Sequence, residues 1–198
     1  MSNSLKVLIE GYAYENEDGS WNASPSTTLI NTNGVNVLVD PGANIQLLKD
    51  SLNNNKLTTQ DIDIIFLTHY HPDHILNIRL FPEHKIYDGG TIYDSDHESF
   101  FEKVIPSTDI KLLPTPGHTA EHTALLVEVE GEMYCIAQDV FWWVDGEQDN
   151  STEEALLNLV DPFAQDIKQL LSSRKIVLEK ADWIIPGHGK MFKNPLRK

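Results

Sequence analysis

Apolar residues in this chain alternate with polar ones or stand in short unbroken runs, which is the pattern of strands rather than of long helices. KVLIEGYA (6–13), STTLINTNG (26–34) and VNVLVDPG (35–42) are β-branched or alternating runs closed by Gly or Asn-Gly, and they predict a meander whose last strand ends at Asp40. Apolar positions then return at helical spacing in NIQLLKDSLNNN (44–55). DIDIIFLT (61–68) predicts a short strand buried on both faces, and DHILNIRLF (73–81) a helix after it. HKIYDGGTIYD (84–94) turns at Gly-Gly, and IKLLPTPGHT (110–119) is an extended segment stopped by prolines. ALLVEVEGEMYCIAQDV (124–140) predicts a hairpin around Gly131, DPFAQDIKQLLSSRKIVLEKA (161–181) the longest helix, and DWIIPGHG (182–189) the last strand. No repeat, low-complexity tract or linker interrupts the pattern, so one domain spanning 1–198 is expected.

Composition narrows the classes. An apolar share of 40% supports a sizeable core, while 30 acidic against 15 basic residues leave a formal net charge of −15. Such a chain is poorly suited to grip phosphates or anionic lipid, so a small-molecule partner is favoured, nucleic acid is disfavoured and no membrane is expected. No run approaches the roughly 18 apolar residues of a membrane span, and the first residues lack a basic and then apolar leader, from which a cytoplasmic location is expected. Cys135, the only cysteine, sits in EMYCIAQ and reads as a small buried hydrophobe in a reducing compartment.

The chemistry gathers where strands run out. THYHPDHI (68–75) carries His69, His71, Asp73 and His74 directly after an apolar run, His118 follows IKLLPTPG, Asp139 follows MYCIA, and His188 follows DWIIPG. If those strands lie side by side, their ends bring five histidines and two aspartates to one edge, a metal site. Imidazole and carboxylate suit Zn, Fe or Mn, and no thiolate is at hand. His69 and His71 are two apart, so in extended backbone both can hold one ion. Asp73 and His74, at a helix start, turn toward a second position, and Asp139 is placed to bridge. A third ligand arriving from a distant segment would leave each ion an open place, as a catalytic site needs. Two ions about 3.5–4 Å apart would share a hydroxide formed near neutral pH.

THYHPDH resembles the His-x-His-x-Asp-His signature of the metallo-β-lactamase superfamily. The other family motifs follow in order, as Asp40 in VLVDPG, His118 in TPGHTAEH, Asp139 in AQDVF and His188 in IIPGHG, over about residues 26 to 190. The resemblance implies an α/β fold, the four-layer αββα sandwich, with His69, His71 and His118 on a first metal, Asp73, His74 and His188 on a second, Asp139 bridging, and Asp40 fixing the site rather than ligating. It implies two divalent ions, zinc favoured and iron or manganese open. The main zinc class of true β-lactamases carries Cys where Asp139 stands, so antibiotic hydrolysis is not implied.

The expected activity is that of a metal-dependent hydrolase. The metal-bridging hydroxide would attack a small ester, thioester or lactone, with Asp73 as the catalytic residue that orients the hydroxide and relays its proton. Resemblance of NIRLFP, DVFWWVDGEQDN and the segment 161–189 to one subgroup makes a phosphodiesterase or endoribonuclease the alternative, and a mononuclear iron dioxygenase acting on a persulfide is a third. His84 and His97 read as solvated or core residues. His122 stays open between a support for the ligands, a core histidine and a substrate contact. Trp142 and Trp143 stay open between packing, a pocket wall and a subunit interface, which leaves a homodimer open as well. The acidic run 145–154 reads as a solvated loop.

Overall fold

Two sheets take successive parts of the chain. The computed structural model describes residues 2–197. The first sheet holds β1 (Ser4–Ile9), β4 (Thr27–Thr32), β5 (Val35–Val39), β6 (Ile64–Phe66), β7 (Ile86–Tyr87), β8 (Thr91–Asp94) and β9 (His97–Phe100) in that order. The second holds β10 (Lys111–Pro114), β11 (Thr123–Val129), β12 (Glu132–Gln138), β13 (Trp183–Pro186) and β14 (Phe192–Lys193). A separate ribbon pairs β2 (Tyr12–Glu15) with β3 (Trp21–Ser24). β5 and β6 run parallel, as do β12 and β13.

The unbroken apolar runs are explained by layers on both faces of each sheet. Val37, Val39, Ile64 and Phe66 of the first sheet meet Leu125, Val127, Ile136 and Ile185 of the second between the sheets. The intervening residues Leu38, Ile65 and Leu67 point outward to pack on Leu48 and Leu52 of α1 (Ile45–Asn54). On the far side Ala124, Cys135, Ala137 and Ile184 pack on Leu170, Val177 and Leu178 of α4 (Ile167–Lys180). The period-two alternation thus serves two apolar layers at once, and the result is the expected αββα sandwich. Phe66, fully buried between the sheets, is a residue whose truncation to Ala would cost about 3–5 kcal/mol. No helix among the described residues is long and apolar enough to cross a membrane.

Local chemistry shifts several boundaries from those expected. The helix predicted from residue 161 begins only at Ile167, because the Asp166 side chain accepts hydrogen bonds from Lys168 N and Gln169 N and so caps it there. Asp161 instead closes a turn, accepting from Phe163 N at 3.0 Å. The predicted helix over 73–81 divides into α2 (Pro72–Ile75) and a tighter turn over Leu76–Leu80. KVLIEGYA divides at Gly11, where an added Cβ would stand 2.0 Å from Gly187 O, so only glycine permits that approach. The ribbon of β2 and β3, strand β9 and the short helix α3 (Glu153–Leu157) were not expected; Thr152 caps α3 at the end of the acidic loop.

Candidate metal centre

Every strand that supplies a candidate residue ends on the same edge of the sandwich. Asp40 follows β5, His69 and His71 follow β6, His118 follows β10, Asp139 follows β12 and His188 follows β13. Asp40 and Gln138 hold left-handed backbone, φ 46° and 44°, a rare state for non-glycine residues. Each strand bends sharply there and delivers a carboxylate to the edge, as strained backbone at functional sites often does.

All seven candidates converge. His69, His71, His118 and Asp139 offer atoms within 4.8 Å of one another, and so, as a second set, do Asp73, His74 and His188. Asp139 joins the two sets: its Oδ2 lies 3.2 Å from His118 Nε2, and its Oδ1 lies 3.4 Å from His74 Nε2 and 3.8 Å from His188 Nε2. His69 Nε2 and His118 Nε2 stand 3.1 and 2.9 Å from His71 Nδ1.

The outward-facing imidazole nitrogens explain why these contacts are not ordinary hydrogen bonds. His118 Nδ1 lies 2.7 Å from Asp161 Oδ2, and His188 Nδ1 lies 2.9 Å from the carbonyls of Tyr12 and Ser24 in the β2–β3 ribbon. His74 Nδ1 lies 2.8 Å from Asp40 Oδ2, which also accepts from Thr68 Oγ1 at 2.6 Å. Thr68 Oγ1, its own proton given to Asp40, accepts from His69 Nδ1 at 3.1 Å. Acceptors therefore claim the Nδ1 proton of four imidazoles, and each Nε2 turns a lone pair inward. His74 Nε2 and Asp139 Oδ1 are buried and make no hydrogen bond among the described residues. Lone pairs crowded at about 3 Å around a buried carboxylate repel one another unless cations sit between them, so this donor set fits divalent ions of the borderline kind that imidazole and carboxylate hold. Asp40, Thr68 and His69 form a chain of support: the Asp40 oxygens are already taken by Thr68 N, Thr68 Oγ1 and His74 Nδ1, which suits a brace rather than a ligand.

Electrostatics centre on Asp139. Burial alone would raise its carboxyl, but the imidazoles of His74, His188 and His118 that surround it outweigh this and hold it well below the usual range. Burial opposes charge on His118, yet bonds to Asp139 and Asp161 push its pKa up to about 9. A cation and a proton therefore compete for the same imidazole nitrogens around Asp139, and binding an ion displaces the proton. Burial brings His122 down to about 3, so it is neutral; its Nδ1 lies 2.8 Å from Thr115 Oγ1 and its ring centroid 5.0 Å from that of His69. It belongs to neither donor set and packs behind His69.

The centre opens into a cleft of about 520 Å³ walled by Ala13, Trp21, Ala23, Leu76, Trp142 and Phe163. The tryptophan pair divides its duties: Trp142 lies 5.7 Å from Phe163 and 6.1 Å from His188, whereas Trp143 packs inward on Phe192. His84 binds the Ile62 carbonyl at 2.9 Å and His97 lies exposed on β9, away from the centre. Asp161, Trp21 and Phe163 were not expected at the site. Trp21 carried a faint signal, an aromatic alone in the polar stretch ENEDGSWNAS; Asp161 carried none, since any acidic residue could have been the partner of His118.

Comparison with known proteins agrees with this architecture. The family model of the metallo-beta-lactamase superfamily matches residues 22–107. The chain is 32% identical over 202 residues to metallo-beta-lactamase domain-containing protein 1 of Xenopus laevis, covering 96% of this chain and 82% of the relative. Among solved structures, a metallo-beta-lactamase-type protein of Thermotoga maritima superposes with a TM-score of 0.71 at 15% identity, covering 98% of this chain and 100% of the other. The dizinc quorum-quenching lactonase AidC superposes with a TM-score of 0.62 at 18% identity, covering 85% of this chain and 74% of the other, and at such identities the likeness speaks for the fold. By the relative and the matched family model together, the chain belongs to the metallo-beta-lactamase superfamily.

Proposed function

We propose that the protein is a binuclear hydrolase of small neutral esters, thioesters or lactones, most simply a dizinc enzyme. On this reading His69, His71 and His118 would hold one ion, Asp73, His74 and His188 would hold the other, and Asp139 would serve both. The observation that carries the reading is the pair of adjacent donor sets joined by Asp139 at the foot of an apolar cleft. The ions, when bound, polarise a carbonyl oxygen and lower the pKa of water to roughly 7.

The chain's own groups do the rest. Asp73, like His71, is only half-buried and lines the cleft, and its Oδ2 lies 3.3 Å from His188 Nε2. Burial would raise its pKa, but the His188 bond and the charge of His74 lower it, so Asp73 stays ionised and can take a proton from the attacking water and return it to the leaving group. Trp142 and Phe163 place apolar surface in the cleft beside His188. Among the described residues no Lys or Arg lines this cleft, which favours a neutral carbonyl substrate over a phosphodiester. AidC, a dizinc lactonase of similar fold, is consistent with the same chemistry. The second donor set, with the buried and unpartnered Nε2 of His74, favours two ions over the single iron of a dioxygenase.

Elemental analysis of the purified chain, paired with a panel of esters, thioesters and lactones, tests the proposal. Two ions per chain and turnover within the panel are expected, and Asp139→Ala should lose both ions and turnover while its circular dichroism is kept. One iron per chain, with the second set unfilled after zinc reconstitution, would overturn it in favour of the dioxygenase.

A further inference from the structure

A second cavity of about 600 Å³ lies next to the cleft, and the two share Trp21, Trp142 and Phe163 as walls. Beyond those rings its lining includes Leu159, Val160 and Pro162, with Glu147 and Asp149 also on its wall. The apolar side chains between the metal centre and this cavity stand open to solvent to a degree that packing alone does not call for: Trp21 is 53% exposed, Phe163 64% and Val160 79%. Their backbone is nonetheless fixed. Asp161, between Val160 and Phe163, accepts from Phe163 N at 3.0 Å and lies 2.7 Å from His118 Nδ1, and the buried Arg174 donates to Leu159 O at 2.6 Å. The segment that presents Val160 and Phe163 is therefore tied to the metal centre on one side and to α4 on the other, a preformed wall rather than a loose loop.

Resting on the hydrolase reading above, we infer that this second cavity is the acyl-tail subsite of the same substrate, and that the enzyme selects carbonyl compounds with an unbranched apolar chain long enough to pass between Trp21 and Phe163. The scissile carbonyl sits over the donor sets, and the chain runs across Trp142 toward Val160. Among the described residues neither cavity is lined by Lys or Arg, and the second has the acids Glu147 and Asp149. A chain ending in a carboxylate is therefore repelled at that wall, and one ending in a methyl group is accepted. Continuity with the metal centre is what assigns the face to substrate: the residues that wall the far cavity also wall the near one.

The zinc-loaded protein is assayed with para-nitrophenyl esters from acetate through butyrate and octanoate to decanoate, reading KM and kcat separately. KM is expected to fall about two- to fourfold per added methylene until the subsite is full, with kcat nearly level, as burial of methylenes predicts. Val160→Asp and Phe163→Ala, both at exposed positions where folding is not at stake, should reduce the decanoate-to-acetate ratio of kcat/KM about tenfold or more. A half-ester of the same length ending in a carboxylate should lose most of the chain-length gain. Binding of methyl octyl ketone, which cannot be hydrolysed, is followed by tryptophan fluorescence and should saturate in the parent chain and weaken in Val160→Asp. Ketone binding with no ester turned over would sink the hydrolase reading and keep the subsite. Acetate turnover with a KM that ignores chain length would sink the subsite and keep the hydrolase. Chain-length indifference together with a dimer that Val160→Asp dissociates would give the face to a second copy instead.

Discussion

Asp161 shows how much a residue outside the donor sets can matter. Its Oδ2 holds the Nδ1 proton of His118, and its Oδ1 closes the turn that presents Phe163. Burial raises its carboxyl, but the bond from His118 and that histidine's charge outweigh this and keep it ionised. Removing such a partner from a ligating histidine costs about 10–100-fold in metal affinity. Asp161→Asn is therefore expected to release an ion to a competing chelator at about 10–100-fold lower chelator concentration than the parent, with the circular dichroism unchanged. An unaltered competition curve would show that His118 needs no such brace. The residue also marks a limit of reading sequence. The seven donors, and Asp40 behind His74, stood in motifs that sequence shows, whereas the acceptors behind His118 and His188 are an aspartate 43 positions from its histidine and two backbone carbonyls of the β2–β3 ribbon. Backbone carbonyls have no signature, and the pairing depends on packing that only the fold sets.

At the scale of elements, the close parallel approach of β12 and β13 governs Asp139. A Cβ added to Gly187 would lie 1.7 Å from Asp139 Oδ1 and 3.1 Å from Asp139 N. Gly187→Ala should therefore swing the Asp139 carboxylate away and lower the affinity for both ions more than tenfold. In the presence of chelator the same substitution should lower the melting temperature, and adding Asp139→Gly should recover most of that loss, since the colliding atoms are then gone. Strict additivity of the two changes would show that the strain lies in the backbone instead. The strands themselves were legible because alternation that serves two apolar layers leaves unbroken runs, as in IDIIFL and MYCIA. The ribbon of β2 and β3 was not: its exposed residues Trp21 and Asn22 share no buried face, so no period appears. The late start of α4 was hidden as well, because Asp161 and Asp166 are both credible caps and only the turn at Pro162 and Phe163 chooses between them.

On the scale of the whole molecule, charge separates the two hydrolytic readings. The net charge is −15, and the basic tail lies away from the centre: Lys193 pairs across from Trp183 at the start of β13, while His188 follows that strand's end. Arg197 lies 3.8 Å from Asp182 and is itself partly neutralised, and Lys198 lies outside the described residues. Each phosphate neutralised by a basic residue steepens the fall of log affinity with log salt by about 0.7 on single strands. An unstructured RNA should therefore bind weakly, and any cleavage should be slow and little changed in a Lys193→Ala, Arg197→Ala variant. Efficient cleavage with a steep salt dependence that this variant abolishes would return the protein to the ribonuclease alternative.

The first sheet is complete by Phe100 and the second begins at Lys111, yet each proposed ion draws ligands from both stretches: His69 and His71 with His118, Asp73 and His74 with His188. On the binuclear reading the ions would act as rivets between two consecutive pieces of polypeptide, and the interval between β9 and β10 is a natural place to cut. Two fragments parted there would each carry half of every binding site, so their reassembly would answer to zinc, and a fluorescent reporter divided between them would turn the fold into a gauge of free metal.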